Sequence, residues 1–317
     1  MSIINEIPLG KHRIVVALKL REVMLLNGIL YNSEAWHGLT KAHIAKLESI
    51  DEALLRGILK AHTKTPKEFL YLETGTVPLK WIIMQRRLNY LKHILSRDSD
   101  ELLKKVFLAQ KEKPTRGDYI KLVEKDLAEL GITYEQVLSP NMTKQKLKII
   151  AKNAAFSKLL ELQSSHKKVK QIEYRTLEVQ PYLTSDLLSQ KQVQTLTAIR
   201  SHCLKGIKEN FPKMQQLSEH CPLKCGNTEA QYKDTQEHLL QCQGLGGESV
   251  MKLSDMYSQN IVSQANLAKL TFKLKRKREQ ILEDQEESLQ CLPGASFLDP
   301  SIQLQQQIGA ASICSSR

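Results

Sequence analysis

The chain has no run of about eighteen apolar residues, the length a helix needs to cross a bilayer, so no membrane partner is expected. Its first thirteen residues, Met1–Arg13, lack an apolar core followed by small residues and do not read as a signal peptide. Cysteine is scarce, at six in 317 residues. Three of the six share one short stretch with a histidine, which suits metal ligation in a reducing compartment better than a disulfide framework. Cys203, Cys291 and Cys314 stand apart from it. The expectation is an intracellular protein, nuclear or cytoplasmic. Runs of alternating β-branched residues are nearly absent, so strands are not expected and the fold class reads as mainly α. The nine histidines and scattered serines show no nucleophile–base arrangement, and Glu34 and Glu48 read as helix salt-bridge partners rather than an acid/base pair.

What is abundant is positive charge. The net charge is +12 with a pI near 9.3, which points to a polyanionic partner. Its placement is uneven. Residues 141–210 hold thirteen Lys/Arg against five Asp/Glu, a net of +8.

That basic segment runs up to Cys221-Pro-Leu-Lys-Cys225, which is followed after twelve residues by His238-Leu-Leu-Gln-Cys242. A C-x3-C-x12-H-x3-C pattern supplies four donors of the kind that close a tetrahedral zinc site. The first pair can sit on one tight turn, with Gly226 available to reverse the chain. The second pair is four positions apart and would share one face of a helix, with Asp234-Thr235-Gln236-Glu237 as a capping box in front of it. His220 is a competing donor beside Cys221. Zinc at Cys221, Cys225, His238 and Cys242 would supply folding free energy to a segment with little core of its own.

Nearly everything before the cysteines carries helical periodicity. Leu18–Trp36 is apolar on most sides, as a central buried helix would be. Thr40 opens a second helix with Ile44, Leu47, Leu54, Leu55, Ile58 and Leu59 at three- and four-residue steps. Thr65-Pro66-Lys67-Glu68 combines an N-cap, a first-turn proline and a capping-box glutamate, and Gly75 ends that helix. Pro78 starts the next, Ser99 caps another to about Gln110, and residues 118–130 form one closed by Gly131. Thr143 to about Ser165 is long, lysine-rich and amphipathic, with Leu147, Ile150, Phe156 and Leu159 directed inward. Tyr174–Leu183 reads as extended, Ser189 to about Leu204 as helix, and Val262 to about Glu287 as helix. Beyond Cys291 the Ser/Gln/Gly/Ala composition reads as a disordered tail.

On the lysine-rich helix Lys144, Lys148 and Lys152 are spaced by four, and Lys158 falls about 40° from their row. Lys167, Lys168 and Lys170 extend the charge past its end. Such a row can track phosphates with salt-sensitive affinity and little base reading, or simply form a solvated face. Trp36 and Trp81 sit among apolar residues and read as core. The Lys273–Arg278 basic stretch can touch phosphate, act as a nuclear-import signal, or be a solvated helix face.

Several stretches, taken in order, resemble one family. Leu25-Leu26-Asn27-Gly28-Ile29-Leu30-Tyr31-Asn32-Ser33-Glu34-Ala35-Trp36 is similar to the Y-x-S-E-x-W segment found after the polymerase palm in reverse transcriptases of non-LTR (LINE-type) retrotransposons. Leu47–Glu52 with Leu55-Arg56, Tyr71-Leu72-Glu73-Thr74-Gly75 and Arg86-Arg87-Leu88-Asn89-Tyr90-Leu91 continue the likeness. The Cys/Cys/His/Cys cluster falls where many members carry a terminal zinc knuckle. The resemblance covers roughly residues 10–245.

It implies a thumb-like helical region at 10–112, a basic helical linker at 113–210, a CCHC knuckle at 211–245, a C-terminal helix at 246–288 and a tail at 289–317. It implies RNA or DNA as partner, with a palm-bearing polymerase segment as a further one. It also makes Arg86 and Arg87 candidate phosphate ligands. Adjacent helix positions point about 100° apart, so one of the two would face nucleic acid and the other a buried acid. Lys224, inside the metal loop, would contact RNA.

The departures are as informative. No adjacent aspartate pair occurs in the chain, and two-metal phosphoryl transfer needs carboxylates clamping both ions. No palm sequence is present either. The expectation is therefore a nucleic-acid-binding portion of a reverse transcriptase without polymerase catalysis of its own. The alternatives are a retroelement-derived zinc-binding scaffold and a decayed fragment without enzymatic role.

Overall fold

The computed structural model describes residues 13–36, 38–115, 117–215, 217–225, 232–246, 252–257 and 260–290. The fold is mainly helical; among the described residues there is no β-strand, only isolated bridges pairing Thr74 with Val179 and His220 with Lys233. Helix α1 (Arg13–Leu20) runs into a π-helical turn (Arg21–Leu26) and the short α2 (Asn27–Ile29). After it come α3 (Lys41–Leu59), α4 (Lys67–Thr74), α5 (Leu79–Leu95), α6 (Leu102–Glu112) and α7 (Tyr119–Leu130). The order continues with α8 (Tyr134–Leu138), α9 (Lys144–Ser164), α10 (Pro181–Thr184), α11 (Gln190–Arg200), α12 (Gln236–Gln241) and α13 (Ile261–Gln290). None of these helices is long and apolar enough to cross a membrane.

Most ends lie where the caps place them. Thr40, Thr143 and Ser189 each accept a backbone N–H three residues on, and Gly75 and Gly131 close α4 and α7 in the left-handed conformation. Two expected starts move, and one stretch expected to be extended ends in a helix. The cap of α4 is Pro66 rather than Thr65, whose hydroxyl is buried without a hydrogen bond. The cap of α6 is Glu101 rather than Ser99. The expected extended stretch at 174–183 closes into α10, started by Pro181 at its first turn.

The central helix is α5, not the Leu18–Trp36 segment. Its buried residues Leu79, Trp81, Ile83, Met84, Leu88, Leu91 and Ile94 leave no wholly polar face. Leu88, Leu91 and Ile94 pack with Phe107 of α6, Ile120, Val123 and Leu127 of α7, Val137 of α8 and Leu147 of α9. Leu79 and Ile83 pack with Leu26 and Leu30, with the half-buried Trp36 against them. Trp81 and Met84 lie against Ala155, so α9 approaches through small residues, and Ile150 and Phe156 are only half-buried. The Leu18–Trp36 segment instead covers one side of this core. Val23 is 50% exposed and Met24 60% exposed, both within the π-helical turn.

Three buried arginine–carboxylate pairs tie distant elements together. Arg21 holds Asp51 of α3 through two parallel bonds of 2.6 Å, with the Tyr71 hydroxyl donating to the same carboxylate. Arg87 of α5 holds Asp126 of α7 at 2.5 Å. Arg200 of α11 holds Glu73 of α4 at 2.8 Å; the Tyr174 hydroxyl donates to that carboxylate at 2.6 Å, and the Tyr182 ring lies 5.3 Å from the guanidinium carbon.

Beside Glu73, the backbone of Gly75 runs close to residues 178–179. A Cβ at Gly75 would lie 2.2 Å from the Glu178 carbonyl carbon and 2.4 Å from the Val179 nitrogen, at a φ of +62°. Neither backbone atom can yield as a side-chain tip would. Gly75→Ala is therefore expected to cost about 3 kcal/mol or more, counting both left-handed strain and overpacking. Urea denaturation measures it, and a loss below about 1 kcal/mol would contradict this packing.

The chain divides into two compact units, one running through Leu274 and the other beginning at Lys275. The first contains every element from α1 to α12. Of the second, Lys275–Gln290 is described and is helical, with Lys275 paired to Glu279 one turn on. The expected tail from residue 291 onward, with Cys291 and Cys314, lies outside the described residues.

Candidate metal centre

The two halves of the cysteine–histidine pattern are brought together by a short reversal of the chain. Cys221 N–H donates to the Tyr232 carbonyl at 2.8 Å and Asp234 N–H to Glu219 at 3.0 Å, with the His220–Lys233 bridge between them. Between the first two cysteines Lys224 N–H closes a turn onto the Cys221 carbonyl at 3.0 Å, and Lys224 takes a left-handed φ of 51°. The expected role of Gly226 lies outside the described residues.

Thr235, not Asp234, then caps α12, its hydroxyl accepting the His238 N–H at 3.0 Å. The helix stops at Gln241. Cys242 is an extended residue at its end rather than a partner of His238 on one helical face. A 3-10 turn, Gln243–Leu245, carries the chain back over the first pair.

The result is one cluster. Ligand atoms of Cys221, Cys225, His238 and Cys242 all lie within 4.8 Å of one another, close enough to hold a single metal ion. The Cys242 sulfur is 3.8 Å from that of Cys221 and 3.2 Å from that of Cys225. Four ligands around a tetrahedral ion with metal–sulfur bonds of about 2.3 Å sit about 3.8 Å apart, whereas a disulfide needs about 2.05 Å. The cysteines are free, and their spacing matches the first case. His220, the competing donor, is exposed and outside the cluster.

Burial pushes the Cys221 thiol up and, with the neighbouring sulfurs, pushes Cys242 up to about 12. The same burial acts on Cys225, but the Gly244 N–H donating to its sulfur at 3.1 Å and the adjacent thiols bring it down. Three thiolates this close repel one another, and a divalent cation is the charge that would hold them together.

Supporting contacts come from residues that ligand spacing does not reveal. A Cβ on Gly244 would meet the Leu223 Cβ at 2.9 Å and the Cys225 sulfur at 3.3 Å, so only glycine lets the turn close over the ligands. Asp234 accepts the Lys208 N–H at 2.9 Å, Glu209 accepts the Gln236 N–H at 3.0 Å, and Asn210 donates to the buried Gln236 side chain at 3.0 Å. The centre is thereby bonded to the helical body. The only advance sign of these contacts was a polar residue at each helix edge. Tyr232 stacks on His238, with ring centroids 5.2 Å apart.

The basic candidates separate. Lys144 and Lys148 are exposed, Lys152 is half-buried, and Lys158 is paired with Glu161 at 2.6 Å, so the row is interrupted. Lys167 and Lys170 are exposed, but Lys168 donates to the His202 carbonyl at 3.3 Å. Lys224 is exposed on the metal turn. Arg87, counted among the phosphate ligands, is 3% exposed and engaged with Asp126, which removes it from any surface. Arg86 donates to the Leu30 carbonyl and lines a cleft together with Lys144. Compared with known proteins, the chain matches no family model, no curated protein and no solved structure.

Proposed function

We propose that the chain is a nucleic-acid-binding C-terminal portion of a non-LTR retrotransposon reverse transcriptase, with a CCHC zinc knuckle at Cys221, Cys225, His238 and Cys242. It would hold template–primer or element RNA beside a palm supplied by other polymerase sequence. The observation that carries the reading is the gathering of three thiols and an imidazole at one buried point in a chain of net charge +12. A closed donor set of three sulfurs and one nitrogen suits zinc in a structural role. The exposed lysines at 144, 148, 167, 170 and 224 would supply phosphate contacts.

A titration of single-stranded RNA tests this. With about four phosphates neutralised, affinity should fall roughly fifty-fold between 50 and 200 mM salt. A zinc chelator should weaken it further. Tight binding indifferent to both would refute the reading.

A second reading, a protein-interaction scaffold, is favoured by the exposed apolar side chains Val23, Met24, Leu102 and Val106. It predicts a partner whose capture survives nuclease treatment and does not depend on RNA.

A further inference from the structure

A cleft of about 690 Å³ lies between α5 and the start of α9. Arg86, Tyr90 and His93 project into it from one face of α5, at steps of four and three residues. Lys92 reaches it from the adjoining position, Lys144 from the first turn of α9, and Glu34 is its one acidic residue. Lys92 donates its ammonium to the Ser139 and Met142 carbonyls, which holds the approach to α9 in place. Arg86 is oriented by the Leu30 carbonyl and lies 3.4 Å from the Ser33 hydroxyl.

None of the three cations forms an ion pair with a carboxylate among the described residues. The 21-residue α9 adds the positive end of its dipole at the same wall, with Thr143 as its cap.

We infer that this cleft is a binding site for a nucleoside phosphate unit, with the phosphate between Arg86, Lys92 and Lys144 and the base against Tyr90. Its size falls within the range of small-ligand sites, about 300–1,000 Å³, and suits one or two nucleotides rather than a duplex. Arginine and lysine neutralise the phosphate, and an aromatic face stacks on any base without selecting among them. The inference deepens the nucleic-acid reading by naming the place where a strand, or a free nucleotide, is held. It does not involve the metal centre.

Fluorescence anisotropy with a labelled ten-nucleotide uridine RNA, and uridine monophosphate as unlabelled competitor, tests it on the full chain. Lys144→Glu reverses a charge at an exposed position and should weaken RNA binding about tenfold. Lys144→Arg should bind as the parent does. Lys146→Glu makes the same charge change two residues on, at an exposed position outside the cleft, and should cost less than about twofold.

Equal losses from Lys144→Glu and Lys146→Glu, with the parent still binding RNA, would overturn the cleft and leave the broader reading standing. A parent that binds no RNA and no nucleotide would overturn both. Given the selective loss, displacement by uridine monophosphate assigns the site to free nucleotide as well as strand. Selective loss without displacement assigns it to the strand alone; both support the cleft.

Discussion

Cys242→Ser is expected to empty the metal centre. The Cys242 sulfur lies within 3.8 Å of both other cysteine sulfurs and is almost wholly buried, so its loss removes one of the four donors from the centre of the cluster. On the zinc reading proposed above, bound zinc should fall from about one ion per chain to near zero. With it would go metal-binding free energy on the order of 10 kcal/mol, the scale structural zinc supplies to small sites. The damage should be local. Residues 219–225 and 232–246 would open to limited proteolysis, while α1–α11, held by their own core, would keep most of the helical circular dichroism.

Cys203→Ser is the control. Cys203 is also buried, but its sulfur faces the Ser201 carbonyl and takes no part in the cluster. Metal analysis of the purified chain and a protease map read both variants. Unchanged zinc content in Cys242→Ser would show that the four residues do not share an ion.

Arg200→Ala should cost about 3–5 kcal/mol of global stability, because it leaves the Glu73 carboxylate buried without its counter-charge. Arg200 is 1% exposed, and its guanidinium joins α11 to α4 and to the Met256 carbonyl, so the loss would spread through three parts of the first unit. The double change Arg200→Met with Glu73→Leu should recover part of it, since an apolar pair of similar volume avoids the desolvation of two charges but leaves the Tyr174 hydroxyl and the Met256 carbonyl without their partners. Urea denaturation of the three chains measures this. A double variant no more stable than Arg200→Ala would mean that packing against Tyr182, rather than charge compensation, is what Arg200 provides.

The residues behind the retroelement resemblance gain a structural account from these pairs. Asp51 and Tyr71 meet Arg21, Glu73 meets Arg200 and Arg87 meets Asp126. Gly75 is held to glycine by the backbone at 178–179. Of the quoted arginines, Arg87 is buried, whereas Arg86 lines the cleft beside α9 and Arg56 lines another beside Lys60.

Local rules reached as far as single elements. Caps and apolar steps are properties of a few consecutive residues, so α3, α9 and α11 were legible from Thr40, Thr143 and Ser189. The four ligands were legible because metal donors are few and their spacing is constrained. The identity of the central helix was not legible. Leu18–Trp36 and Leu79–Leu95 are both apolar, and only packing against α6–α9 selects the second.

The sequence by itself determined a helical chain, an excess of basic charge near its middle and a Cys/Cys/His/Cys donor set, because each depends on residue type and short-range spacing. Only the tertiary structure decided that Arg87 is buried while Arg86 is not. The same holds for the tie between the metal centre and the body through Asp234, Gln236 and Asn210, and for the meeting of Lys144 with Arg86 across a cleft. Those outcomes depend on which distant segments share a dielectric environment, and a one-dimensional pattern carries no measure of that.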